Sequence, residues 1–296
     1  MPETTTVVMD DGVRLNVKVL GQDPTVRKPL LISLHGAPGV STLAEPESSF
    51  GYLSDRYRVL VFDARGSGAS DKIGPFTHER WIQDIENLRK WAGDETFILA
   101  GASYGGFVAL DYAVQHGARL RALVLRDTWA NGRLGSMNAL ASILTSKRIS
   151  VDVDRQVRLW SGTVLNDQDH ALALQEILPI FTPPTDVQTA AASTEQQEST
   201  EFQGSVAFYS ATQNAAFAEN MPRFDVRHLL KEINAPTLVV VGRHDAITPV
   251  SCSQEIADAI PNAQLEIFEF SGHSPPSDEP EKFEQILSDF LQTVVH

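Results

Sequence analysis

The 296-residue chain contains a single cysteine, Cys252. One thiol excludes an internal disulfide framework and the usual cysteine-rich zinc spacings, so Cys252 is expected to be a small packed residue. Basic residues are also scarce: 24 Lys and Arg stand against 38 Asp and Glu, a formal net charge of −14. That balance argues against nucleic acid as a partner, because a basic face supplies most of that affinity. It argues equally against an anionic membrane surface. No apolar run approaches the roughly 18 residues of a membrane span. The opening MPETTTVVMDDG lacks a positive n-region and an apolar h-region, so no secretory signal is read and a soluble, cytoplasmic protein is expected. Internal repeats and extended low-complexity segments are absent from the pattern as well.

What the sequence does have is a rhythm. Two β-rich runs flank Asp10-Asp11-Gly12, a hairpin signal. Short apolar runs follow at 29–34, 57–63, 96–101 and 121–127, then at 237–242 and 264–270, with helical patterns between them. Strands alternating with helices predict an α/β fold: a mostly parallel sheet with helices on both faces. The stripe Phe283, Ile286, Leu287, Phe290, Leu291 and Val294 predicts a closing amphipathic helix. Between Trp129 and Pro222 the strand pattern stops, and a polar tract occupies 190–204. The expected organisation is a core over 1–128, a mainly helical cap over 129–222, and the remainder of the core over 223–296.

The chemistry centres on Gly101-Ala102-Ser103-Tyr104-Gly105, which fits G-x-S-x-G after a strand and before a helix. A serine hydroxyl needs a base. His273 sits in a loop at a carboxyl strand end, where α/β sites gather. By contrast, His78, His116, His170 and His228 fall in helical or polar patterns and are expected at the surface or at caps. A base needs a carboxylate to hold its tautomer. Asp245, in Gly242-Arg243-His244-Asp245, also ends a strand; Asp127 competes for this role. The His35-Gly36-Ala37-Pro38-Gly39 loop can supply a backbone donor for a developing oxyanion, together with Tyr104. Ala37 is the expected second donor and Gly36 the alternative, since Pro38 has no N–H. Arg65 is expected to fix loops near the site through charge-assisted hydrogen bonds. Such machinery requires no cofactor and no metal.

These segments resemble the α/β-hydrolase superfamily over essentially the whole chain, in the order Ser…Asp…His. HGAPG (35–39), DARGSGAS (63–70), GASYG (101–105) and GRHD (242–245) are similar to the hallmark segments of the proline iminopeptidase family. The resemblance implies Ser103 as nucleophile, Asp245 as acid, His273 as base, and Ala37 and Tyr104 as oxyanion donors. It departs from the family where alanine replaces the middle glycine of HGGPG, alanine replaces glutamine in the DQRG segment, and tyrosine replaces tryptophan after the nucleophile. The implied activity is release of a small N-terminal residue from a peptide or amide. Esterase or lactonase action is the alternative, as is carbon–carbon or cyanohydrin cleavage on the same residues. A ligand receptor on the same scaffold is the alternative of another class. An exopeptidase must pair its substrate's α-ammonium with a carboxylate, for which the cap offers Glu195 and Glu219, with Glu198 and Glu201 beside them. The expected partner is therefore a small molecule or short peptide.

Overall fold

The computed structural model describes residues 3–187 and 206–294. Alternating side chains in β1 (Thr5–Val8) and β2 (Arg14–Leu20) place Val7, Leu15 and Val17 inside. Gly12, at φ +85°, makes the turn between these strands. The two pair antiparallel, and β2 pairs antiparallel with β4 (Arg58–Phe62). The strands β3 (Leu30–Leu34), β5 (Phe97–Ala102), β6 (Leu120–Arg126), β7 (Thr237–Gly242) and β8 (Ala263–Phe268) complete an eight-stranded sheet in the order β1-β2-β4-β3-β5-β6-β7-β8. From β4 through β8 all pairings are parallel. Parallel strands need covered faces, and β3, β5 and β7 are buried along their whole length.

Two apolar clusters provide that cover. One packs α2 (His78–Ala92) and α3 (Tyr104–His116) on the first face. The other packs Phe50, from α1 (Ala44–Phe50), and Phe283, Leu287, Phe290 and Leu291, from the last helix Pro280–Val294, on the second. Between β6 and β7 the described residues form α4 (Gly132–Thr145), α5 (Val153–Ser161), α6 (Asp167–Ile177) and the helix Ser210–Ala215, which runs into a π-helical turn at Ala216–Asn220. An isolated bridge between Asn131 and Asp225 pins the two ends of this stretch together. No helix among the described residues is long and apolar enough to cross a membrane.

Candidate active site

Ser103 occupies the turn between β5 and α3 at φ +50° and ψ −117°, a backbone state that costs an L-residue energy. The surrounding packing enforces it. A Cβ on Gly101 would lie 2.4 Å from the Gly105 carbonyl oxygen, and one on Gly105 would lie 2.6 Å from that of His35. The elbow glycines are there because backbone runs against backbone. The Ser103 N–H donates to the Arg126 carbonyl at 2.9 Å, and Thr128 Oγ1 donates to the Ser103 carbonyl at 3.0 Å. Tyr104 opens α3, so its N–H lacks the carbonyl four residues back that a mid-helix amide would use.

His273 and Asp245 come from the loops after β8 and β7. The His273 Nδ1 is 2.7 Å from Asp245 Oδ2, which leaves Nε2 for proton traffic. Asp245 is saturated with donors. Its Oδ1 accepts the N–H groups of Ile247 and Thr248 at 2.8 and 2.9 Å, and Oδ2 also accepts the Thr248 hydroxyl at 2.5 Å. Burial pushes the Asp245 carboxyl up, but His273 and these hydrogen bonds outweigh it and hold the group below its ordinary value. Burial likewise pushes the imidazole down, yet the Asp245 charge prevails and raises it. The Thr248 contact had no signal in the sequence beyond its place three residues after the acid.

Asp127 directly follows β6, at φ +48°, and is 1% exposed. It does not take the place of Asp245 on His273: its Oδ1 accepts the Gly242 N–H at 3.2 Å. Ligand atoms of Asp127, Asp245 and His273 lie within 4.8 Å of one another, a set that could meet a cation. The Asp245 oxygens, however, are already filled by N–H and O–H donors.

These groups face a cavity of about 840 Å³ lined by Gly36, Ala37, Ser103, Tyr104, Asp127 and His273. Trp160, Phe181 and Phe217, from the helical stretch between β6 and β7, form an apolar wall. The Phe181 ring stands edge-on to His273 with centroids 4.9 Å apart, and the Phe181 carbonyl accepts the His273 N–H at 2.7 Å. Glu45 and Arg126, an ion pair, also line the cavity. Gly36 lies directly against the nucleophile, since a Cβ there would sit 3.3 Å from the Ser103 Cβ. His35 steadies this loop. Its Nδ1 meets the Gly36 carbonyl at 2.9 Å and its Nε2 accepts the Ala64 N–H at 3.0 Å, with burial holding the ring below its ordinary pKa.

The structure departs from several expectations. Glu219 is exposed and is not among the cavity-lining residues, so the fold does not bring it to the site. Its neighbour Asn220 is the one that turns inward, accepting the His78 N–H and donating to the Phe76 carbonyl. Glu195, Glu198 and Glu201 lie outside the described residues. His78 and His170, expected at the surface or at caps, are both buried. His78 spans Asp111, 2.5 Å from Nδ1, and the Tyr104 hydroxyl, 3.0 Å from Nε2. The same hydroxyl donates to the Ala216 carbonyl at 3.2 Å, tying the residue after the nucleophile to the helical stretch. Arg65 is wholly buried and grips Asp84 at 2.8 and 2.9 Å and Asp11 at 2.8 Å. It thereby joins the β1–β2 turn to α2.

The family model described as the alpha/beta hydrolase fold matches residues 29–280. The chain belongs to this family. It is 30% identical over 268 residues to a proline iminopeptidase of Pestalotiopsis fici, covering 89% of this chain and 91% of that one. It is 26% identical to a proline iminopeptidase of Clostridioides difficile, covering 95% of both. Among solved structures, a thermophilic esterase from Thermogutta terrifontis superposes with a TM-score of 0.73 over 99% of this chain and 100% of that one, at 24% identity. That last likeness shows the shared fold. The curated relatives are hydrolases, and this chain is an α/β hydrolase.

Proposed function

We propose that this hydrolase acts through Ser103, His273 and Asp245 and passes through an acyl-enzyme. The observation that carries the reading is the 2.7 Å contact between His273 Nδ1 and Asp245 Oδ2 at a cavity that Ser103 also lines. In this mechanism Ser103 Oγ attacks the substrate carbonyl carbon while its proton passes to His273 Nε2. The carbonyl oxygen gains negative charge, for which the N–H groups of Tyr104 and Ala37 are the donors. The imidazolium then returns the proton to the departing amine or alcohol, and water repeats the sequence to release the acid. Asp245 stays ionised throughout and stabilises the imidazolium.

For substrate, the relatives support an aminopeptidase-type hydrolase of small N-terminal residues under a cap over 129–222, of which the described residues, 129–187 and 206–222, are mainly helical. A second reading, an esterase or lactonase, is favoured by one observation: the exposed Glu219 stands away from the cavity. The deciding comparison is a proline arylamide against its N-acetylated form and against a neutral ester of similar size. Strong preference for the free amine supports the peptidase; equal or better turnover of the ester sinks it. A serine-directed phosphonate should label Ser103 alone, and Ser103→Ala should lose about 10⁴-fold in kcat. Wild-type turnover in that variant would refute the nucleophile.

A further inference from the structure

The triad mechanism makes no use of Asp127, although its carboxyl is buried in the middle of the site. Its backbone is fixed twice, by φ +48° and by an N–H bond to the Val240 carbonyl at 2.9 Å. One carboxyl oxygen accepts the Gly242 N–H, tying the end of β6 to the end of β7. The other, Oδ2, is buried and has no hydrogen-bond partner among the described residues. A buried polar atom left in that state costs stability and calls for a reason.

The neighbours supply one. The charged and titratable groups around Asp127 are Asp245 from the loop after β7, His273 from the loop after β8, and Arg126 beside it on β6. Arg126 Nη1 is 4.0 Å from Oδ2, at the outer limit of an ion pair, and Arg126 also pairs with Glu45. Asp245 already has its oxygens filled by four donors, so it does not require a proton from Asp127. We propose that Asp127 is a second acid for His273, idle while Asp245 is charged and able to supply the counter-charge to the imidazolium when Asp245 is not. Burial first, and then the like charge of Asp245, push its carboxyl up to about 8. Asp127 thus holds its proton at neutral pH, chiefly because burial penalises its charged form and further because Asp245 beside it is already ionised. Removing the Asp245 charge removes that repulsion. With burial still opposing the charge and His273 favouring it, the Asp127 carboxyl then loses its proton at a lower pH than before, and its carboxylate stands beside His273. The role is electrostatic support of the base, and it rests on the triad reading above.

The experiment compares kcat/KM over pH 5–9 for wild type, Asp127→Asn, Asp245→Asn and the double variant, using a neutral chromogenic ester. Asp245→Asn should retain at least about tenfold more kcat/KM than the double variant. Because loss of the His273 proton already makes kcat/KM rise with pH in every variant, the signature is a further rise as Asp127 ionises, present in Asp245→Asn and missing from the double variant, which a merely structural role would not produce. Equal kcat/KM in Asp245→Asn and the double variant, with no such pH dependence, would overturn the proposal. Should Asp127→Asn fail to fold, as judged by circular dichroism, Asp127→Ser replaces it, keeping an oxygen that can accept the Gly242 N–H. Failure of the triad itself is separately visible, as turnover surviving in Ser103→Ala.

Discussion

The backbone at Ser103 stores strain that can be measured as stability. At φ +50° and ψ −117° the residue lies outside the regions an L-amino acid prefers, a state costing on the order of 1–3 kcal/mol. Glycine adopts positive φ without that cost. Replacing Ser103 by Gly should therefore release the strain, less the roughly 0.4–1 kcal/mol by which glycine enlarges the unfolded ensemble. The expected net gain over Ser103→Ala, which keeps the Cβ and the strain, is about 1 kcal/mol. With an unfolding entropy near 2.1 cal/mol/K per residue, a chain of 296 residues converts that gain into a rise of roughly 1–2 °C in Tm. Urea denaturation and calorimetry on the two inactive variants read the difference directly, and both should lose turnover to the same degree. If Ser103→Gly proves no more stable than Ser103→Ala, the elbow is not strained, and packing does not impose its geometry.

Three further outcomes follow from the same geometry. Because the Asp245 charge raises His273, and the base must be neutral to accept a proton, kcat/KM should climb with pH to a midpoint above the ordinary imidazole value of about 6.5. A midpoint below that value would mean burial outweighs the carboxylate. Gly105→Ala places a methyl 2.6 Å from the His35 carbonyl and 2.8 Å from that of Leu34. Since neither backbone can yield cheaply, stability should fall by about 1–3 kcal/mol and activity with it; a variant as stable as wild type contradicts the packing. Trp160→Ala opens the apolar wall, so the kcat/KM ratio of hexanoate to acetate esters should shift toward hexanoate by at least about tenfold. An unchanged ratio would show that Trp160 does not bound the acyl site.

Much of the fold and of the nucleophile's setting is legible in the amino-acid sequence, because it is encoded locally. A strand buried on both faces must be continuously apolar, and LLISL, FILAGA and TLVVVG are buried from end to end. A serine projecting from a strand–helix turn needs small residues where backbone runs against backbone, and Gly101, Ala102 and Gly105 supply them within GASYG. The hairpin at Asp10–Gly12 and the stripe of the closing helix are likewise properties of adjacent or one-turn neighbours.

Other features depend on residues far apart in the chain, and only the tertiary structure decided them. His78 has an ordinary helix-start context, and its burial arises because α2 lies against α3, where Tyr104 and Asp111 await it. The direction of Glu219 follows from the turn at Ala216–Asn220, which points Asn220 inward and leaves its neighbour in solvent. Asp127 and Asp245 read as competitors for one role along the sequence, both ending strands. Their pairing in one site follows from the adjacency of β6 and β7, which sets both carboxyls beside a histidine delivered by β8. Periodicity reports which face of an element is buried. It carries no information about which distant element covers that face, and the distances that govern charge and proton transfer are set there.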